Sequence, residues 1–434
     1  MRRSLWAMAV AAVLVVSACS SGSTASPGAP SGSAAATGSP AATGSPATTG
    51  GTGFDPNAIE GDLVLSGWSA GAVEAPILEQ LLEDFQAAYP KITVKFEPVA
   101  GEYPAAMAAK FSAGEPPDLF YVDSSLAPTW IDDDLLEPLD DYIAKSSFDA
   151  SQFYEGYLNA FKGPDGKIYG LPKDGNTLAM AYNETMLTDA AVEPPTTHEE
   201  LVAAADKLKA AGVESPLCLS STMDRALAFV YQNGGSLFNE DKTAAAIDSA
   251  ESIAGIEWYL NLFKNGQGQR PSDLGVDWCG QALGEEKSAI IFEGGWVDPY
   301  MKDTFPEVKY AWAEMPEGAG GKATLAFTVS YSIGADSKNK DASWVLLSYL
   351  TGKDGMTTWT EGGVANPSRK DVEGAAGKEI LIQGAEYARP WSFIPGFSEI
   401  NDAFNNAFTA ALEGDGGAQE VADATKEAID SNLQ

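Results

Sequence analysis

The chain has 434 residues, and its 27 Lys and Arg against 61 Asp and Glu give a formal net charge of −34. That length supplies two lobes of ordinary domain size, and the acidity repels a phosphate backbone, excluding nucleic acid as a partner and arguing against highly anionic substrates. With one histidine and no Cys-x-x-Cys spacing, zinc and thiol catalysis have almost no material, and the sequence implies neither metal nor cofactor.

Met1-Arg2-Arg3 precedes an apolar run from Leu5 to Val16 that is too short to span a membrane, so residues 1–18 read as an export signal. The run ends in Val16-Ser17-Ala18-Cys19, which resembles the lipobox of bacterial lipoproteins. That resemblance implies that Cys19 takes lipid and anchors the chain to the outer face of the cell membrane. From Ser20 up to Phe54 the sequence is, short of that phenylalanine, Ser, Gly, Ala, Thr and Pro with no charge, unable to bury a core. Residues 19–57 therefore read as a lipidated cysteine followed by a tether with a reach of roughly 30–35 Å.

The folded body opens with a buried strand at Leu63-Val64-Leu65-Ser66, then a helix on which Ile77, Leu78, Leu81, Leu82, Phe85 and Tyr89 recur at helical spacing. Ile92, Val94 and Phe96 alternate with polar residues as a second strand, a helix follows over 103–113, and Leu119 to Val122 form a third strand. This βαβαβ order predicts parallel pairing. Ligands of open α/β sheets sit beyond the carboxyl ends of the strands, which directs attention to Trp68 and Asp123. The later buried run Ala289 to Phe292 ends in Glu293-Gly294-Gly295-Trp296, placing a second indole at the same kind of position. Aromatic rings across a cleft suit the apolar faces of sugars.

Several stretches together resemble the extracellular solute-binding proteins of ABC importers, the group typified by maltose-binding proteins. They are Glu83-Asp84-Phe85, Tyr89-Pro90, Ile92-Thr93-Val94, Pro117 to Phe120, Leu139 to Tyr142, Ile168 to Pro172, Ala181 to Glu184, Ala289 to Trp296 and Asn366 to Arg369. The resemblance covers about residue 62 to the C-terminus and implies an α/β fold of two lobes with the ligand cleft between them. The N-terminal lobe would be 58–173 and 328–367, the C-terminal lobe 174–327 and 368–434, with chain crossings near 172–177, 324–330 and 365–371. It also implies a monomer that captures a sugar by hinge closure and presents it to the membrane subunits of a permease. Ligand contacts are expected from Trp68, Ser69, Asp123, Asp174, Asn176, Glu293 and Trp296, as stacking indoles and hydroxyl-binding polar groups. For Tyr231 and Trp391, core packing and ligand contact stand equally. The first loop, Trp68-Ser69-Ala70, departs from the maltose-binding pattern, so maltose itself is not implied, and a polyol or polyamine ligand stays open.

Rival readings have less material. Gly67-Trp68-Ser69-Ala70-Gly71 matches the nucleophile elbow of α/β-hydrolases, but the only base for a triad is His198, which opens a helix in the capping pattern Thr197-His198-Glu199-Glu200 and reads as a surface residue. The glycines of that elbow are instead expected to let the backbone approach a ligand. A glycosidase needs only two carboxylates, and none here stands in a distinguishing motif. Asp132-Asp133-Asp134 lacks the shaped loop a calcium ion needs. Trp130, Trp258, Trp312, Trp344 and Trp359 fall in apolar patterns that predict burial. In an oxidising compartment the remaining pair, Cys218 and Cys279, is expected to form one disulfide in the second lobe.

Overall fold

The computed structural model describes residues 54–433 other than 69–73, 100–101, 364 and 392. The export signal, Cys19 with nearly all of the tether, and Ser69 lie outside the described residues.

The strands in chain order are β1 (Gly61–Trp68), β2 (Ile92–Val99), β3 (Leu119–Asp123), β4 (Leu171–Thr177), β5 (Ala179–Asn183) and β6 (Ser215–Cys218). They continue with β7 (Gly268–Gln269), β8 (Ser288–Glu293), β9 (Tyr310–Ala313), β10 (Thr324–Ile333) and β11 (Ala388–Pro390). One sheet runs β11-β10-β3-β1-β2 with β4 also paired to β10, and the other runs β7-β6-β8-β5-β9. The opening βαβαβ unit is parallel as expected, β1 pairing with β2 on one side and β3 on the other. Its helices Glu74–Ala88 and Tyr103–Ser112 bury Leu78, Leu81, Leu82 and Phe85, and Tyr103 and Met107, against that sheet.

Each sheet has its own core. Leu63, Leu65, Phe85, Phe120, Tyr331, Ile333 and Trp344 belong to the first, and Met180, Leu217, Phe229, Tyr259, Ile290, Phe404 and Phe408 to the second. Strands β4 and β10 pass between them. Leu171 is buried in the first core and Leu178, just beyond β4, in the second, whereas β10 begins with Leu325 in the second core and ends with Ile333 in the first. The two strands are antiparallel neighbours from Ala326↔Thr177 to Tyr331↔Leu171, with a register shift between Val329 and Ser330. A third passage comes later than the expected boundary at 367/368. Val372 is still buried in the first core, and the second lobe is reached at Lys378, paired with Asp298, and the helix Glu379–Gly384, which packs on β4, β5 and β9. The delay follows from Arg369, which is buried in the first lobe by a bridge to Phe153 and an ion pair with Asp371.

Two expectations need correction. Thr197 caps its helix as read, its hydroxyl accepting from the Glu200 amide at 3.2 Å, but His198 is not a surface residue. It is 4% exposed, stacks on Trp258 with ring centroids 3.7 Å apart, and bonds Gln232 Oε1 through Nε2 at 2.8 Å. Spacing explains this: His198 shares a helix face with buried Leu201, Ala205 and Leu208. Gly67, in turn, serves packing rather than a ligand, because a Cβ there would lie 2.4 Å from the ring of Tyr121.

Cys218 and Cys279 are bonded to each other, tying the end of β6 to the start of the helix Cys279–Gly284. The bridge closes a loop of 61 residues, so reduction, or the paired replacement Cys218→Ala with Cys279→Ala, is expected to lower stability by roughly 2–4 kcal/mol. Denaturant titration with and without reductant measures it, and coincident curves would show that the bridge adds nothing. Trp344 is fully buried between Tyr142 and Phe148, at centroid distances of 5.7 and 5.6 Å. Trp344→Ala is expected to cost about 3–5 kcal/mol while the surviving fold keeps its ligand affinity, a combination that thermal unfolding and titration calorimetry check together.

Candidate functional site

On the second lobe the site grows from the end of β8. Glu293 closes the strand, Gly294 and Gly295 turn the chain, and Trp296 caps the helix Val297–Thr304, whose first amides reach back to the Gly294 and Gly295 carbonyls at 3.1 and 3.2 Å. The turn needs glycine because the Trp296 indole folds back over it, and a Cβ on Gly294 would sit 2.3 Å from the ring. The indole Nε1 donates to Glu293 Oε2 at 3.0 Å. The same oxygen accepts from the guanidinium of Arg225 at 2.7 Å, and the other terminal nitrogen of Arg225 reaches Asp224 at 2.6 Å. Arg225 also lies over the rings of Trp296 and Phe327, 5.5 and 5.9 Å from their centroids.

Burial sets the electrostatics of this group. It pushes the Glu293 carboxyl above its ordinary range, only partly countered by Arg225. For Arg225 burial opposes the charge, but the Glu293 and Asp224 carboxylates outweigh it and hold the guanidinium protonated. The aromatic surface then continues across the crossing strand. Trp296 meets Phe327 on β10 edge-on at 5.9 Å, Phe327 meets Trp391 at 5.9 Å, and Trp391 meets Phe397 edge-on at 5.2 Å.

The first-lobe wall is built at the ends of β1, β3 and β4. Half-buried Trp68 packs edge-on against Tyr103 and Tyr121, at 5.3 and 5.2 Å. Asp123 turns the chain after β3, its Oδ1 accepting from the Ser125 amide and hydroxyl at 2.9 and 2.5 Å. Asp174 is buried in an ion pair with Lys173 and accepts from the Trp359 indole at 2.9 Å. Lys173 Nζ is 4.1 Å from the Trp359 centroid and 5.2 Å from that of Tyr121. Glu74 joins this group. Burial raises its carboxyl, and Lys173 and Asp174 act on it in opposite directions. Asn176 accepts from Asn366 at 3.2 Å. It faces the second-lobe turn closely, since a Cβ on Gly295 would lie 2.8 Å from its Oδ1.

A cavity of about 470 Å³ lies between Ser125, Leu126 and Thr129 on one side and Trp391, Phe397 and Asn401 on the other. Of the expected ligand contacts Trp391 lines it; Glu293 and Trp296 connect to Trp391 through Phe327, Asn176 stands beside Gly295, and Asp123 lies two residues before Ser125. Tyr231 does not join them. It is buried in the second core, capped by the Arg389 guanidinium at 4.4 Å, and borders a different cavity with Phe238 and Phe393. A third space of about 580 Å³ lies between Tyr154 and Gly156 on one side and Ala385 to Pro390 on the other.

Sequence reasoning missed Arg225, Asp224, Phe327 and Glu74. Arg225 carried the clearest signal, as a lone cation in the apolar helix Met223–Gln232. His198, committed to Gln232 and Trp258, supplies no base for a nucleophilic serine. Among the described residues no group of three or more His, Cys, Asp or Glu is placed to hold a metal ion.

The sequence profile of the bacterial extracellular solute-binding proteins matches residues 71–357. The maltotriose-binding protein of Pyrococcus abyssi is 25% identical over 292 residues, 64% of this chain and 60% of its own length. The galactooligosaccharide-binding protein of Bacillus subtilis is 22% identical over 339 residues, 74% of this chain and 78% of its own. Among solved structures, the cyclic α-maltosyl-1,6-maltose binding protein of Arthrobacter globiformis superposes with a TM-score of 0.77 at 19% identity, covering 86% of this chain and 99% of that one. Two lobes, strands that cross between them and a profile matched over most of the folded body agree: the chain belongs to the bacterial extracellular solute-binding proteins.

Proposed function

We propose that the chain binds a carbohydrate between its lobes, without turning it over, and hands it to the membrane subunits of an ABC importer. The observation that carries this reading is the aromatic wall of Trp296, Phe327 and Trp391, edged by buried polar groups and set beside strands that cross between two separate cores. Flat rings contact the C–H faces of a pyranose, and neighbouring carboxylates and amides accept its hydroxyls. Relatives named for maltotriose and galactooligosaccharides support the same ligand class. In this reading closure about the crossing strands brings Asp123 and Asn176 onto the sugar held by Trp296, and the closed form is what the permease meets. Every residue this reading assigns to the ligand belongs to one copy, which supports a monomer as the binding unit.

The tether fits that task. Cys19 carries the lipid and the uncharged stretch after it holds the folded body off the membrane. Cys19→Ala is expected to release the protein from membranes, which fractionation checks. A mutant still membrane-bound after signal cleavage would sink the anchor.

A thermal-shift panel of mono- and oligosaccharides with spermidine tests the ligand class, because a ligand bound only by the native state raises the midpoint. Sugars are expected to raise it. A response to spermidine with none to any sugar would overturn the reading. Trp296→Ala is then expected to weaken binding of the responding sugar about 30-fold or more in titration calorimetry, and near-native affinity would remove Trp296 from the site.

A further inference from the structure

The Trp296 indole is the last member of a chain of polar contacts that begins on another element. At the start of the helix Met223–Gln232 the Thr222 hydroxyl, paired with that of Ser220 at 2.6 Å, donates to the Asp224 carboxylate. Asp224 holds one terminal nitrogen of Arg225, which donates to its carboxylate at 2.6 Å and to its carbonyl at 3.2 Å. The other terminal nitrogen donates to Glu293 Oε2 at 2.7 Å, the oxygen that also accepts from Trp296 Nε1 at 3.0 Å. The Met223 amide, bonded to Asn405 at 2.8 Å, ties the origin of this chain to the helix Phe397–Glu413. Glu293 is 4% exposed, and Arg225 has both terminal nitrogens engaged and its Nε buried. That leaves the half-buried Trp296 as the member with a contact surface to offer.

We propose that Arg225 and Glu293 are positioning residues: they set the orientation of Trp296 and act on the ligand only through it. The inference rests on the carbohydrate reading and deepens it. Gly294 and Gly295 give the turn no side chain to stop the ring, which folds back over Gly294. The bond from Nε1 to Glu293 Oε2 supplies the missing constraint. A ring fixed before binding spares the ordering cost that a pivoting side chain pays when it clamps a ligand. Arg225 fixes the carboxylate in turn, because both bonds converge on the same oxygen. Without the guanidinium, Glu293 would be a buried charge with no counterion and would have to protonate or turn toward water, releasing the indole. Glu293, expected from its strand-end position to meet sugar hydroxyls, is thereby assigned to the indole instead.

The test is titration calorimetry of the full chain with the strongest responder in a thermal-shift panel of glucose, galactose, maltose, lactose and maltotriose. Arg225→Met is made together with Glu293→Leu, so that neither charge is left buried alone, both in the parent and in Trp296→Phe, whose ring has no N–H to bond. The paired change is expected to weaken binding about tenfold in the parent and less than about twofold in Trp296→Phe. Glu293→Gln alone, whose amide oxygen still accepts from Arg225 and the indole, is expected to stay within about threefold of the parent. Should the paired variant unfold, Arg225→Lys gives the same comparison, because one ammonium cannot hold Asp224 and Glu293 as the guanidinium fork does; about threefold weakening is expected in the parent and none in Trp296→Phe. Equal weakening in the two backgrounds would mean that Arg225 or Glu293 touches the sugar itself. That result, or undiminished affinity in the parent, overturns the proposal while the carbohydrate reading stands. No response to any sugar of the panel overturns the carbohydrate reading, and this inference with it.

Discussion

The ladder between β4 and β10 is the constraint on which the rest of the molecule depends. Two cores would be two independent domains if one strand joined them. Here the paired strands fix how each lobe is presented to the other while leaving the cores separate. Side-chain hydroxyls reinforce the ladder from inside: Thr328 donates to the Asp174 carbonyl at 2.6 Å and Thr324 to the Leu178 carbonyl at 2.8 Å. Alternation along β10 then divides its neighbours, Phe327 going to the aromatic wall and Ala326 to a small separate cluster with Tyr157 and Ala385. Gly175 on β4 completes that second face, since its bare Cα lies flat against the Tyr157 ring, where a Cβ would come within 2.2 Å.

Buried charge at the site follows from the same economy of space. An ion taken out of water is costly unless its hydrogen-bonding capacity is met. Glu293 meets this through Arg225 and the Trp296 indole, and Asp174 through Lys173 and the Trp359 indole. On both lobes, then, a carboxylate, a cation and a tryptophan form one packed unit. The indole of each is oriented by the bond to its carboxylate, and the cation lies over an aromatic face. Arg225 Nε is the exception, buried and without a partner.

The opening β1, β2 and β3 of the first sheet were legible because their information is local, whereas β4, β10 and β11 were not read as strands. The period of two at Ile92, Val94 and Phe96 and the helical spacing from Ile77 to Phe85 gave β2 and the first long helix within a few residues. The strand-end rule singled out Glu293 and Trp296, and a hydrogen bond joins the two side chains. What sequence reasoning lacked were pairings across distance. Arg225 and Glu293 are 68 residues apart and Trp359 and Asp174 are 185 apart, so neither partner is visible from the other. Asp174, expected to face hydroxyls, is held by Lys173 and an indole instead. His198 was misjudged for a different reason: the capping pattern was weighed and the helix face was not, although Leu201, Ala205 and Leu208 were there to be read.

The small cluster around Tyr157 has a consequence for how the molecule is recognised from outside. The space between Tyr154, Gly156, Ala385 and Ala388 lies on the face of β10 opposite Phe327. The crossing strands therefore act as a fulcrum with one gap on either side. On the proposed closure, a rotation that narrows the gap on the Phe327 side widens the one behind it. The outer surface behind the fulcrum would then carry the same message as the interior, so that a partner touching only that surface could tell a loaded molecule from an empty one without ever meeting the cargo.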